Sequence, residues 1–212
     1  MDVSVEEAAK VLGVSPRRVR ALAASGEIAA RRLGRAWAID LDASVPARPP
    51  GRRLSARSAW GVLGLCEEDL SRSERQRALE RRRGFGELPP EALVRRAEVH
   101  RLIAHPAALR RLADDPRLVL SGVSAAAHHG ADIIALDDVE AYVREGDLGK
   151  VRRGQGLRPP AQGDVANVLL RVPRPEWPFA PGDRYAPRLV VAADLLEVGD
   201  ERSVRAARAL IR

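Results

Sequence analysis

The sequence has 212 residues, of which 45% are hydrophobic, so it can form one large domain or two small ones with a real core. Its formal net charge of +7 favours a polyanionic partner. No apolar run approaches the roughly 18 residues of a membrane span, no signal-peptide core begins the chain, and the single cysteine, Cys66, excludes an internal disulfide. We therefore expect a cytoplasmic protein that contacts no membrane.

The first forty residues have the pattern of two short helices joined by a tight turn. Ser4 and Glu7 have the spacing of a capping box, and Gly13 permits the sharp turn that ends the first helix. Ser15 then caps a second helix that has Pro16 at its first position. The apolar faces are formed by Ala8, Ala9, Val11 and Leu12, and then by Val19, Leu22 and Ala23. This pattern predicts a helix-turn-helix, whose second helix enters the DNA major groove with its N-terminal end.

A β-hairpin is predicted directly after this helix pair. Gly34-Arg35 supplies the tip. The apolar positions of the hairpin are Ile28, Leu33, Trp37 and Ile39. Its basic residues are Arg31, Arg32 and Arg35. We call this hairpin the wing.

Residues 4–40 as a whole resemble the MerR/excisionase-like helix-turn-helix family, in which a minimal helix pair is followed by such a wing. The resemblance implies that the second helix reads the major groove and that the wing touches the DNA backbone or minor groove. The alternative is a helical hairpin that makes protein contacts.

A segment rich in proline, glycine and arginine, VPARPPGRR at 45–53, separates the first region from the rest. It is either a passive tether or a basic arm that lies along phosphates through Arg48, Arg52 and Arg53. The predicted organisation is a DNA-binding domain over 1–45, a linker over 46–54 and a second domain over 55–212.

The second region alternates helical and strand patterns, which predicts a mixed α+β domain. Ser55 caps a helix with Trp60 on its buried side, and a charged helix follows over 71–86. The further helices are predicted at 91–96, from Pro106 to about 115, at 124–129, and over 201–212. The strands are predicted at 97–105, 118–120, 139–143 and 167–173, and the segment 188–199 passes from strand into helix. The chain as a whole is therefore α+β, with a small N-terminal winged helix-turn-helix domain and a larger mixed domain.

Arginine dominates the charged helix over 71–86. Usually such a run is only a solvated face, but beside a DNA-reading motif it is also a candidate for a second phosphate contact. The predominance of arginine weakens any inference from total charge, because a GC-rich coding sequence produces it without selection. Only Lys10 and Lys150 are lysine.

No catalytic, metal or cofactor site is predicted. Adjacent side chains on a helix point about 100° apart, so His128 and His129 favour packing over metal binding. Cys66 has no nearby group to activate it, Asp194 is a lone acid, and the GQG segment lacks the spacing of a phosphate loop. A nuclease or nucleotidyltransferase is the enzymatic alternative, and the absence of a clustered acidic motif argues against it.

From about Leu118 to Ile211 the chain resembles the C-terminal region of AbiEi-type antitoxins of type IV toxin–antitoxin systems. The resemblance rests on LSGVSAAAHHG, VEAYV, RRGQGLRP, NVLLRVP and the final segment from APRLVVAADLL onwards. It implies an antitoxin that represses its own promoter and counters a nucleotidyltransferase-like toxin. The N-terminal helix-turn-helix of this chain differs from the ordinary winged helix of that family.

These observations predict a transcriptional repressor that binds double-stranded DNA at its own promoter and acts as an antitoxin. The alternative is a protein-interaction module that uses the helix-turn-helix for docking. The predicted DNA-binding residues are Ser15, Arg17, Arg18, Arg20, Arg31, Arg32, Arg35, Arg52 and Arg53. The oligomeric state stays open, because no long heptad run is present to hold a dimer.

Overall fold

The chain divides into two units, Met1–Gly51 and Arg52–Arg212. The computed structural model describes residues 2–12, 15–25, 28–34, 36–40, 53–134 and 137–212. Most of the predicted linker, 46–52, lies outside these residues, so the predicted boundary at residue 45 stays a prediction. Arg53 and Leu54 belong to the second unit.

The first unit combines two helices with a three-stranded antiparallel sheet. Its elements are β1 (Asp2–Val3), α1 (Val5–Leu12), α2 (Pro16–Ser25), β2 (Ala30–Leu33) and β3 (Ala36–Asp40). The sheet order is β1-β3-β2, so the predicted wing, formed by β2 and β3, is confirmed. Strand β1, which the sequence did not predict, pairs Val3 with Ile39 and adds a third strand to the wing.

Local sequence signals set the ends of these helices. The Ser4 backbone N–H donates to the Glu7 carboxylate over 2.9 Å, and the Glu7 N–H donates to Ser4 Oγ over 3.2 Å, which confirms the capping box. Helix α2 begins at Pro16, where a missing N–H costs nothing. The turn residues Gly13 and Val14 lie outside the described part of the chain.

The second unit is built from seven helices and four strands among its described residues. Its elements are α3 (Ala56–Val62), α4 (Arg72–Arg83), β4 (Ala97–Leu102), α5 (Pro106–Ala113), β5 (Leu118–Leu120), α6 (Gly122–Ala126), β6 (Val139–Val143), α7 (Glu145–Gly154), β7 (Val168–Pro173), α8 (Arg188–Val198) and α9 (Glu201–Ile211). The mixed α+β class predicted for the chain is confirmed.

One mixed sheet in the order β4-β7-β6-β5 organises this unit. Strands β6 and β7 are parallel, while the outer pairs are antiparallel. All five residues of β6 are buried, because this central strand is covered on both faces. Its polar residues, Glu140 and Tyr142, are buried against polar and charged partners. Trp60 is buried as predicted, and its Nε1 donates to the Arg174 carbonyl over 2.8 Å.

Helix α8 lies at the centre of the unit and packs against α6 and α9. The prediction of a strand at the start of this segment is wrong, because the helix runs without interruption from Arg188 to Val198. Six consecutive residues, Val190 to Leu195, are buried. A helix that is apolar all round loses the 3.6-residue periodicity that would identify it, and its apolar run then resembles a buried strand.

Two further segments differ from their predictions. The predicted helix over 91–96 is two short 3-10 helices, Pro90–Ala92 and Val94–Arg96. The polar, glycine-rich segment after β6, for which no helix was predicted, forms α7, although Gly146 and Gly149 lower its intrinsic helix propensity. No helix in the described ranges is both long and apolar enough to cross a membrane.

Gly122 is required at the start of α6 for two separable reasons. Its φ is +49°, and a Cβ at this position would overlap the Glu140 carboxyl group. Gly130 also has a positive φ, +85°, but open space surrounds its position. We expect Gly122→Ala to destabilise the protein by about 3 kcal/mol and Gly130→Ala by about 1 kcal/mol. Urea unfolding of both variants measures this, and equal losses would show that the overlap with Glu140 is unimportant.

Candidate DNA-binding site

Helices α1 and α2 share one small core and leave the outer face of α2 in solvent. Val19 is fully buried in α2, and Val5, Ala8 and Ala9 bury the facing side of α1. Burying a valine or isoleucine side chain fully is worth about 1.5–3 kcal/mol, so these contacts fix how the two helices cross. Ile39 of β3 closes the core from the wing side.

The N-terminal half of α2 presents its polar residues to solvent. Ser15, Pro16 and Arg17 are exposed where the helix begins. Arg20 is exposed one turn later, and its Nη2 contacts Glu6 Oε1 of α1 over 2.9 Å. The Arg20 and Glu6 side chains are 54% and 63% exposed, so this ion pair is weak and leaves Arg20 able to exchange it for a phosphate. For Arg18, only its position in α2 is described.

The wing adds basic residues on β2. Arg31 and Arg32 are exposed, opposite Ala38 and Trp37 of β3. The Arg32 guanidinium lies 5.8 Å from the centre of the Trp37 ring, a cation–π contact that restricts its side chain. Gly34, at the tip, has the positive φ of 62° that a two-residue hairpin loop requires. The predicted contact residue Arg35 lies outside the described residues.

Residues 3–43 match the family model of a helix-turn-helix domain. The match covers the capping box, both helices and the wing, and it agrees with the resemblance to excisionase-like readers. No curated protein and no solved structure matches the chain. The helix-turn-helix domain thus marks the chain as a DNA-binding regulator, and the antitoxin assignment stays a prediction.

A second group of arginines lies in the second unit. Arg53 lines a concavity of about 490 Å³ together with Arg77, Arg81 and Arg95. We call this surface the arginine concavity. The sequence singled out Arg53 as part of a linker and did not single out Arg95. The other predicted linker contact, Arg52, lies outside the described residues.

Four of the six arginines of α4 form two groups that the sequence could not distinguish. Arg75 donates to the Leu70 carbonyl over 2.7 Å, and Arg82 donates to the Val62 carbonyl over 3.0 Å and pairs with Glu67. Both therefore hold α4 against its surroundings. Arg77 and Arg81 instead face the concavity. The predicted charged helix is confirmed, with Ser71 and Glu74 forming its capping box.

A buried cluster of charged residues occupies the interior of the second unit. Asp194 of α8 is fully buried and pairs with Arg96, and its Oδ1 lies 3.2 Å from Arg171 Nε. Ser121 donates to the other carboxylate oxygen of Asp194, and the Tyr142 hydroxyl donates to Oδ1 over 2.9 Å. Asp194 is therefore not the lone acid that its sequence neighbours suggested. Its carboxylate ties α8 to the sheet.

A second carboxylate completes this cluster. Glu140 of β6 is buried and accepts a hydrogen bond from Arg171 Nη1 over 2.7 Å. Glu197, at the surface end of α8, accepts from Arg96 Nη2 over 2.8 Å. Two buried arginines are thus matched by two buried carboxylates and one partly exposed carboxylate, as a buried charge requires.

The two buried carboxyl groups have opposite pKa shifts. Burial alone would raise the pKa of Asp194, but the guanidinium groups of Arg171 and Arg96 outweigh it and lower the pKa below its ordinary value. For Glu140, burial raises the pKa, and Arg171, with a smaller contribution from the Val123 backbone N–H, offsets this only in part. Asp194 is therefore the anion on which the two arginines depend most. All members of the cluster except Glu197 are buried, so we assign the cluster a structural role.

The other residues considered as chemical sites are accounted for by packing. His128 stacks on Tyr185 with ring centres 4.0 Å apart, and His129 Nε2 lies 2.8 Å from the Ala186 carbonyl oxygen. Burial raises the pKa of the Cys66 thiol, with a smaller contribution from Glu68, which disfavours the reactive thiolate. Among the described residues, no group of three or more His, Cys, Asp or Glu could hold a metal ion.

Proposed function

We propose that the protein is a sequence-specific, DNA-binding transcriptional repressor that acts in the cytoplasm on its own promoter. The observation that supports this most is the exposed N-terminal half of α2 in a domain matched as a helix-turn-helix. In that motif, the start of the second helix meets base edges in the major groove. The positive end of the α2 dipole adds attraction for the flanking phosphates.

The predicted contact residues of the first unit either read bases or contact phosphates in this proposal. Arg17 and Arg18 reach base edges, where an arginine paired with guanine is worth about 1–3 kcal/mol of discrimination. Ser15 and Arg20 contact flanking phosphates, and the wing supports them from β2. The wing residues are Arg31, Arg32 and Arg35. Phosphate contacts position the protein on the duplex but do not read its sequence.

We also propose that the chain is not an enzyme and needs no cofactor. The two buried carboxylates, on Asp194 and Glu140, are held by arginines in the cluster described above. Carboxylates fixed in this way stabilise the fold and leave no free general base at that place.

Footprinting on the duplex immediately upstream of the coding sequence tests the regulator proposal. We expect protection of a discrete site, and an affinity that falls steeply as salt increases, because phosphate contacts release bound cations. A shuffled duplex of the same composition is the control. Equal affinity for both duplexes, or binding that does not respond to salt, would favour the alternative of a protein-interaction module.

The finer proposal is that this repressor is the antitoxin of a type IV-like toxin–antitoxin pair. It is supported by the resemblance of the stretch from about Leu118 to Ile211, which forms most of the second unit. Co-expression with a neighbouring nucleotidyltransferase-like gene tests it. Growth should be arrested by that gene alone and restored by this chain. Arrest that persists would reject the antitoxin role and leave the repressor proposal intact.

A further inference from the structure

The arginine concavity has an excess of positive charge, because its described lining includes four arginines and one carboxylate. Arg53, Arg77, Arg81 and Arg95 are all exposed. In the described part of the chain, none of the four has a hydrogen-bonded or ion-pair partner within 4.0 Å. The polar serines Ser55 and Ser58 complete the lining.

A single carboxylate, that of Glu74, lines the same concavity. It is already engaged, because Glu74 Oε2 accepts hydrogen bonds from the Ser71 N–H over 2.8 Å and from Ser71 Oγ over 2.6 Å. The Ser71 hydrogen bonds lower the pKa of Glu74, and Arg77 contributes electrostatically, so Glu74 stays ionised and offsets one arginine at most. The remaining guanidinium groups keep their hydrogen-bond donors available.

The chemistry of this surface fits phosphodiester groups. Guanidinium groups bind phosphate oxygens through two parallel N–H donors, and they are the preferred partners of phosphate in proteins. A pocket for an apolar small molecule is lined mainly by hydrophobic and aromatic side chains. Here the lining is arginine and serine, with Leu54 and Ala78 as the apolar members. A polyanion therefore fits this surface better than an apolar ligand.

We propose that the arginine concavity binds the phosphate backbone of duplex DNA as a second contact, independent of sequence. This inference rests on the proposed function, because the helix-turn-helix domain would supply the duplex. Arg53 lies at the start of the second unit, which belongs to the same chain as the first. DNA bound by the first unit is thus held at a high effective concentration for the second.

The double substitution Arg77→Gln and Arg81→Gln tests this proposal in the full chain. The matched control is Arg72→Gln and Arg83→Gln, which removes the same charge from exposed positions of the same helix that do not line the concavity. Affinity for the upstream duplex is measured by fluorescence anisotropy over a range of NaCl concentrations. Each lost phosphate contact should reduce the slope of log K against log salt by about 0.9.

We expect the slope to become shallower by about 2 for the concavity variant and to stay unchanged for the control. The concavity variant should lose the same fold affinity for the upstream and the shuffled duplex, because phosphates carry no sequence information. Equal slopes in the variant and the wild type, or equal losses in the control, would overturn the proposal. So would a loss seen only with single-stranded RNA of the same length.

A third variant, Arg17→Ala, distinguishes a failure of this proposal from a failure of the proposed function. If the wild type binds DNA and Arg17→Ala weakens it while the concavity variant keeps the wild-type slope, the second contact is wrong and the regulator proposal stands. If the wild type itself shows no salt-dependent binding to duplex DNA, both proposals fall.

Discussion

Replacing Asp194 by Asn is expected to destabilise the second unit by about 3–5 kcal/mol, enough to lower its Tm by about 10 °C. The substitution keeps the shape of the side chain and removes its charge. Of its two described carboxylate partners, Arg96 would then keep only Glu197. Arg171 would keep only Glu140. A buried arginine that loses a carboxylate carries charge that the protein interior does not solvate.

Urea unfolding followed by tryptophan fluorescence measures this loss. Trp60 is a suitable reporter, because its ring lies 5.8 Å from that of Tyr142, whose hydroxyl contacts Asp194. The control is Glu201→Gln on α9, where the carboxylate is 94% exposed and 3.7 Å from Arg205. We expect the control to change stability by no more than about 0.5 kcal/mol. A loss below about 1 kcal/mol for Asp194→Asn would show that the cluster is not needed for stability.

The pH dependence of the stability difference between the wild type and Asp194→Asn gives an independent check. The pKa of Asp194 is lowered in the folded protein, so its contribution is fully present above the unfolded pKa of about 4 and is lost as pH falls through the folded value. The gap between wild type and Asp194→Asn should therefore be the same at pH 7 and pH 5 and should shrink below about pH 4. A gap that grows on acidification would contradict the assignment of Asp194 as the buried anion.

The sequence predicted those parts of the fold that depend on neighbours in the chain. A capping box joins residues three positions apart, and the one formed by Ser4 and Glu7 was predicted from this spacing. The second capping box, formed by Ser71 and Glu74, has the same spacing but was not predicted. Pro16 likewise marks its own helix start. The two helices and the hairpin of the candidate DNA-binding site were predictable for the same reason, because they are formed from local signals. Strand β1, which pairs with β3 across a longer sequence separation, was not predicted.

The buried cluster was not predictable because it joins residues far apart in the sequence. Arg96 and Asp194 are 98 positions apart, and Ser121 and Asp194 are 73 apart. Nothing beside Asp194 indicates its partners, since its neighbours on α8 are apolar. The arginine concavity was not predictable for the same reason. Arg95 lies outside the charged helix, and only the tertiary fold brings it to the same surface as Arg77.

Replacing Arg17 and Arg18 together by Ala is expected to lower affinity for the upstream duplex on the order of 100-fold, because each arginine is assigned about 1–3 kcal/mol of base recognition. Arg17 is exposed where α2 begins, and the core of the domain is formed by other residues, such as Val19. The fold should therefore survive, with an unchanged Tm and far-UV circular dichroism spectrum. Discrimination between the upstream and shuffled duplexes should disappear, because base contacts carry the sequence information.

Lys10→Ala is the control for position, since it removes an exposed positive charge from α1 instead of α2. We expect the control to keep its preference for the upstream duplex and to lose only a small, sequence-independent part of the affinity. If Lys10→Ala and the arginine pair relax discrimination equally, the start of α2 is not the reading surface. If neither changes discrimination, the helix-turn-helix domain does not read this sequence, and the contact that selects the site lies elsewhere in the chain.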